Sequence, residues 1–151
     1  MKKILFVSSI LFLFLLVSAE KTFACSCMAS TKPLKTQVKE AFDNSAAVFT
    51  GEVIEIVSKG EFELTVKIKV EKSWKANLPK EIFLTTAKQS AMCGYGFEDG
   101  KKYIVYADGS VNALTANNCS RTTLESDKTD IKYLNKLKGL KNKKSQREKG
   151  R

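Results

Sequence analysis

The chain is 151 residues long, with 26 basic and 16 acidic side chains, four cysteines and no histidine. The missing imidazole excludes Ser-His-Asp and Cys-His nucleophilic sites and zinc enzymes with histidine ligands. The length allows one domain with a sizeable core. The formal net charge of +10 favours loose contact with polyanions such as cell-wall polymers, anionic lipid or nucleic acid, or simply keeps a lysine-rich protein in solution.

Residues 1–24 read as an export signal. Lys2 and Lys3 supply a positive start, and residues 4–17 are apolar except for Ser8 and Ser9, a length that suits a signal core and is short for a membrane span. Three processing routes compete. Thr22-Phe23-Ala24 puts small residues at −3 and −1 and favours cutting before Cys25. Val17-Ser18-Ala19 offers a cut after Ala19, and lipid attachment at Cys25 would give a surface-anchored form. Removing residues 1–24 takes away three basic residues and one acidic one. The 127 residues left carry 23 basic and 15 acidic side chains, a net charge of about +8. No second long apolar run follows, so a soluble, secreted product is expected.

The elements follow in order. Residues 34–44 place Leu34, Val38, Ala41 and Phe42 on one helical face, a lid on the core. Residues 48–57 are rich in strand formers, with Gly51 marking a bulge or barrel bend. Residues 62–70 alternate without a fault, the clearest strand in the chain, and Lys59-Gly60 between the two runs reads as a hairpin turn. Trp74 follows, then an Asn77-Leu78-Pro79 loop, a third strand over 81–86 and a connection over 87–100 that carries Cys93. Strands are expected over 101–107 and 111–115, with Asp108-Gly109 as the tight turn between them. Ser126-Asp127 starts a helix with an Ile131, Leu134, Leu137 stripe. Residues 138–151 are lysine- and arginine-rich with almost no apolar residue, and read as a disordered basic tail.

Five short strands with one or two helices point to a mainly β, five-stranded OB-fold-like barrel over residues 25–137. Lys67 and Lys69 suggest a nucleic-acid face, but such a face needs exposed stacking aromatics, and the aromatics fall mostly on the apolar phase of their strands. The chain therefore reads as having no specific nucleic-acid role. No Gly-rich phosphate loop is present: Gly94-Tyr95-Gly96 lacks the flanking pattern. No carboxylate pair stands out, and the chain reads as a non-enzyme without a cofactor.

Cys25, Cys27, Cys93 and Cys119 are an even set in an exported chain, which implies two disulfides. Joining Cys25 to Cys27 would close a very small ring, so each is expected to reach a distant partner. The loops closed are roughly 70 to 90 residues long, each worth on the order of 4 kcal/mol. A four-cysteine zinc site is the competing arrangement, disfavoured by the export signal and the absence of a C-x-x-C knuckle. Thiol oxidoreductase chemistry at Cys25 and Cys27 is a further alternative.

Several segments, taken in order, resemble the N-terminal, netrin-like domain of the tissue inhibitors of metalloproteinases. They are Cys25-Ser26-Cys27 behind the signal, Glu40-Ala41-Phe42-Asp43-Asn44 with residues 48–53, and Lys72-Ser73-Trp74-Lys75. Ser90-Ala91-Met92-Cys93-Gly94-Tyr95, Gly100-Lys101-Lys102-Tyr103-Ile104-Val105 and the later Cys119 complete the set. The similarity spans roughly residues 25–125. It implies an OB-type barrel, Cys25 paired with Cys93 and Cys27 with Cys119, and a role as an inhibitor of a zinc metalloendopeptidase. On the same resemblance the α-amine and carbonyl of a mature Cys25 chelate the protease's zinc, Ser26 points into its specificity pocket, and Met28, Ala91 and Met92 flank the contact. The protein alone is expected to bind no metal. Asp43 stands where the family usually has a further cysteine. The alternative is a secreted or surface-associated binding module on the same barrel, touching wall polymer or another protein through its basic surface.

Overall fold

The computed structural model describes residues 25–149, with side chains to residue 139. Residues 1–24, the segment read as an export signal, lie outside the described residues. The elements are α1 (Leu34–Asn44), β1 (Ala47–Lys59), β2 (Glu63–Lys75), β3 (Glu81–Ala87), a 3₁₀ turn (Ser90–Met92), β4 (Lys102–Ser110), β5 (Ala113–Thr115), β6 (Thr123–Leu124) and α2 (Thr129–Lys149). The strands hydrogen-bond in the order β1-β2-β3-β5-β4, and β4 pairs back onto β1. This closes a five-stranded mixed barrel with one parallel pairing, β3 to β5, and two helices outside. It is the OB-fold-like architecture the strand pattern suggested.

Closure demands curvature, and bulges in the β1–β2 pair supply it, with Ile54 the extra residue on β1 and Glu71 and Trp74 those on β2. The ladder shifts register at Val48/Phe49, Thr50/Gly51 and Val53/Glu55, as bulges do where a strand must bend. A Cβ on Gly51 would sit 2.5 Å from the Ile68 side chain and 2.7 Å from the Lys69 carbonyl, so the crossing of β1 over β2 leaves room for glycine alone.

Two cores form because β1 and β4 are covered on both faces. Phe49, Val53, Val66, Ile68, Leu84, Tyr103, Val105 and Leu114 fill the barrel. Val38, Phe42, Val48, Trp74, Ile104, Tyr106 and Leu134 form a second layer between barrel and helices. Successive side chains of β4 therefore alternate between two apolar environments, and residues 103–107 are all buried. Full burial of each large side chain is worth about 1.5–3 kcal/mol.

Four expectations change. Strand β2 does not stop at 70: it runs on to Lys75 and includes Trp74, because Glu71 and Trp74 are extra residues of β2 itself, left without a β1 partner, so the alternation breaks while the ladder continues. Asp108 and Gly109 lie inside β4, paired with Thr115 and Leu114, so the hairpin turns three residues later, at Val111 and Asn112. Helix α2 extends through the segment read as a disordered tail, to Lys149; lysine, leucine, glutamine and arginine are good helix formers, and the packed first turns have already nucleated the helix. Finally, Phe62 and Phe83 are 53% and 61% exposed, so two aromatics do face outward on the β2–β3 side.

Candidate functional site

The N-terminal Cys25-Ser26-Cys27 segment is fastened by two disulfides and a backbone hydrogen bond. Cys25 is disulfide-bonded to Cys93 and Cys27 to Cys119, with Cα–Cα distances of 5.0 and 5.2 Å. This is the pairing the resemblance implied. The Cys25 N–H donates to the Ala91 carbonyl at 3.0 Å. Among the described residues no cysteine is free. The Cys25, Cys27 and Cys119 sulfurs lie within 4.8 Å of one another, but all are spent in disulfides and offer no thiolate to a metal.

The loop that receives Cys25 is itself rigid. The Ser90–Met92 turn ends on Cys93 in the left-handed region, φ 62°, a conformation seldom held by a non-glycine residue. The Cys93 and Gly94 N–H groups donate to the Ser90 and Gln89 carbonyls, each at 3.0 Å. A Cβ on Gly94 would collide with the Ala87 carbonyl oxygen, so the ridge presses directly on the end of β3. Behind it Tyr95, Phe97 and Tyr103 stack, with centroids 4.7 to 5.8 Å apart. Burial pushes the Tyr95 hydroxyl up to about 12, with Tyr103 a second contributor.

The Cys119 loop is bound to the same ridge by backbone. Gly94 bridges Asn117, and the Asn118 N–H donates to the Cys93 carbonyl at 2.9 Å. Asn117 Oδ1 accepts from the Cys119 N–H at 2.8 Å. Cys25, Ala91 and Cys93 are thus brought together by direct bonds, with Ser26 exposed between the two cysteines and Ala91 and Met92 exposed beside them. Met28 is 99% exposed and borders a polar groove of about 680 Å³ with Cys119 and Arg121. Met92 borders a smaller, more apolar hollow of about 320 Å³ with Phe62 and Thr115.

Sequence reasoning missed the polar clamp under this edge. Arg121 donates to both oxygens of Asp130, from Nε at 2.9 Å and Nη2 at 2.8 Å, and from Nη1 to Gln37 Oε1 at 3.0 Å. The Tyr106 hydroxyl donates to the same carboxylate at 2.8 Å. Gln37 in turn donates to the Lys32 carbonyl at 2.6 Å, linking the segment after Met28 to α1, α2 and β4. Hydrogen bonding to Asp130 holds the Arg121 guanidinium further up its already high range. Burial, reinforced by the Asp130 charge, pushes the Tyr106 hydroxyl above its ordinary value. The only sequence signal was an arginine two residues past a cysteine and an acid at a helix start, which no periodicity joins.

Lys67, suggested as part of a basic face, is ion-paired with Glu81 at 2.8 Å and lies 5.8 Å from the centre of the Phe83 ring. Lys59 is likewise paired with Glu63. Glu63 and Glu81 therefore offset two lysines of this face, while Lys69, the other lysine suggested, is exposed. Compared with protein-family models and with curated proteins, the chain matches none.

Proposed function

We propose that the protein is an exported inhibitor of a zinc metalloendopeptidase, working through the α-amine and carbonyl of a mature N-terminal Cys25. One observation supports this most: the Cys25 backbone is fixed at an exposed edge by its disulfide to Cys93 and its bond to the Ala91 carbonyl. A catalytic zinc keeps one position open for water. An amine nitrogen and the carbonyl oxygen of the same residue close a five-membered chelate that displaces that water. An α-amine has a pKa of about 7.7–8.0, so losing its proton to a metal costs little near neutrality. One N–H given to Ala91 leaves the nitrogen lone pair for the metal. Because the crosslinks fix this geometry beforehand, docking orders less of the chain. Ser26 would enter the specificity pocket, and Met28, Ala91 and Met92 would line the contact.

The intact mass of the exported protein establishes whether Cys25 is the first residue and whether it carries lipid. A form with one alanine added before Cys25 should lose inhibition of a zinc endopeptidase by about two orders of magnitude or more and keep its unfolding midpoint. Equal potency in both forms rejects the mechanism. Potency should also fall as pH drops below about 8, where the amine increasingly holds its proton.

A second reading, a surface-associated binding module, rests on α2. From Lys132 to Lys149 it carries eight basic residues and one acidic one, and among the described side chains the last one packed on the second core is Leu137. Such a helix suits phosphate- or sulfate-bearing polymers. Binding to a polyanion column that weakens with salt and disappears on deleting residues 138–151, with no dependence on the N-terminus, would favour this reading.

A further inference from the structure

The two disulfides lie against each other. Cys25 Sγ and Cys119 Sγ, which belong to different crosslinks, are 3.8 Å apart, and Cys27 Sγ completes a trio within 4.8 Å. Cys27 and Cys119 are exposed, Cys25 and Cys93 partly so. Sulfurs at this separation and exposure meet the requirement for thiol–disulfide exchange, in which a thiolate attacks one sulfur of a disulfide and expels the other.

We propose that these crosslinks form an exchange pair: a dithiol that opens either of them triggers transfer to a Cys25–Cys119 disulfide, leaving Cys27 and Cys93 as thiols. The bonds balance by either route. When the dithiol attacks Cys27, Cys119 departs as a thiolate and attacks Cys25. The Cys119–Cys25 bond forms, the Cys25–Cys93 bond breaks, and the electron pair and then a proton go to Cys93. The second thiol of the reductant releases Cys27, and the reductant becomes a cyclic disulfide. When Cys25–Cys93 opens first, the Cys25 thiolate attacks Cys119 and expels Cys27. Both routes oxidise one dithiol and give the same product.

The backbone is arranged to favour transfer over simple opening. The loops bearing Cys93 and Cys119 are joined by the Gly94–Asn117 bridge and by the Asn118 to Cys93 hydrogen bond. Cys25 is held by the Ala91 carbonyl. None of these bonds involves sulfur, so the reacting atoms stay in place after the first cleavage. Cys27 has no comparable tether, and departs. The N-terminal residue is then crosslinked to the Cys119 loop instead of the Ala91-Met92-Cys93 ridge. If the reading under Proposed function is right, this turns the inhibitory edge off under reducing conditions.

The test treats the folded, oxidised protein with a roughly equimolar amount of dithiothreitol near pH 8, where thiolates are well populated. Acid quenching, alkylation with N-ethylmaleimide and peptide mapping follow. The singly reduced species should carry label mainly on Cys27 and Cys93, with Cys25 and Cys119 joined. Label mainly on Cys27 and Cys119, or on Cys25 and Cys93, overturns the proposal. In Cys27→Ser the remaining thiol should divide between Cys119 and Cys93 without any reductant; label confined to Cys119 overturns it too. Protease inhibition is measured separately on the isolated exchanged form. Lack of inhibition by the untreated protein would remove the functional reading and leave the exchange standing, because the map does not use the protease.

Discussion

Asp130 is 3% exposed and accepts from Arg121 twice and from Tyr106 once. Asp130→Asn keeps the shape but removes the charge that Arg121 is paired with. It should lower unfolding stability by about 2–3 kcal/mol in urea titration, discounted for the partial exposure of Arg121. The exposed pair Lys39–Asp43 should show no measurable change when Lys39 becomes alanine. Gly94→Ala places a methyl group against the Ala87 carbonyl. It should cost about 1–3 kcal/mol by the same titration and, if the ridge serves inhibition, weaken potency as well. The two residues differ in legibility. Cys25 and Cys27 were visible in the sequence because cysteine chemistry is confined to few positions. Arg121 and Asp130 were not, because an ion pair joining a loop to a helix has no repeat to betray it.

At the level of the element, boundaries were legible wherever one face was wet. Helix α1 spans Leu34–Asn44, the bounds its apolar spacing gave, because Val38 and Phe42 face the core while Lys35 and Lys39 face water. Strand β2 was read only up to the point where its own bulges, at Glu71 and Trp74, break the alternation. The Asp108-Gly109 dipeptide has the chemistry of a turn, yet the ladder between β4 and β5 absorbs it. Helix α2 is anchored by Leu134, fully buried, and by Asn135, whose Oδ1 accepts from Trp74 Nε1 and Lys72 Nζ, each at 2.8 Å. Leu134→Ala should cost about 2–5 kcal/mol, whereas deleting residues 140–151, which follow Leu137 in the sequence, should leave the thermal midpoint nearly unchanged.

For the whole molecule, pH and redox state are the informative variables. Burial raises the hydroxyls of Tyr95, Tyr103 and Tyr106, Tyr95 to about 12. A raised value means that the folded state holds its proton longer than the unfolded chain, whose tyrosines titrate near 10. The associated stability is fully present below about pH 10 and is lost as pH climbs toward 12. Urea midpoints should therefore fall across that window, and Tyr95→Phe should make the fall shallower. Two disulfides with separations of 68 and 92 residues belong to a protein that folds in an oxidising environment. Each removes unfolded-chain entropy worth on the order of 4 kcal/mol.

The amino-acid sequence by itself determined that the chain is mainly β, that its longest strands have one apolar face, and that all four cysteines lie after residue 24. Those properties follow from side-chain periodicity and residue chemistry, which are local. The tertiary structure alone decided that β1 and β4 are buried on both faces, that Arg121 meets Asp130 and that Lys67 is ion-paired with Glu81. It also decided that the Cys25 and Cys119 sulfurs touch. Each of these is a contact between distant segments made when the barrel closes, and no spacing along the chain encodes the closure.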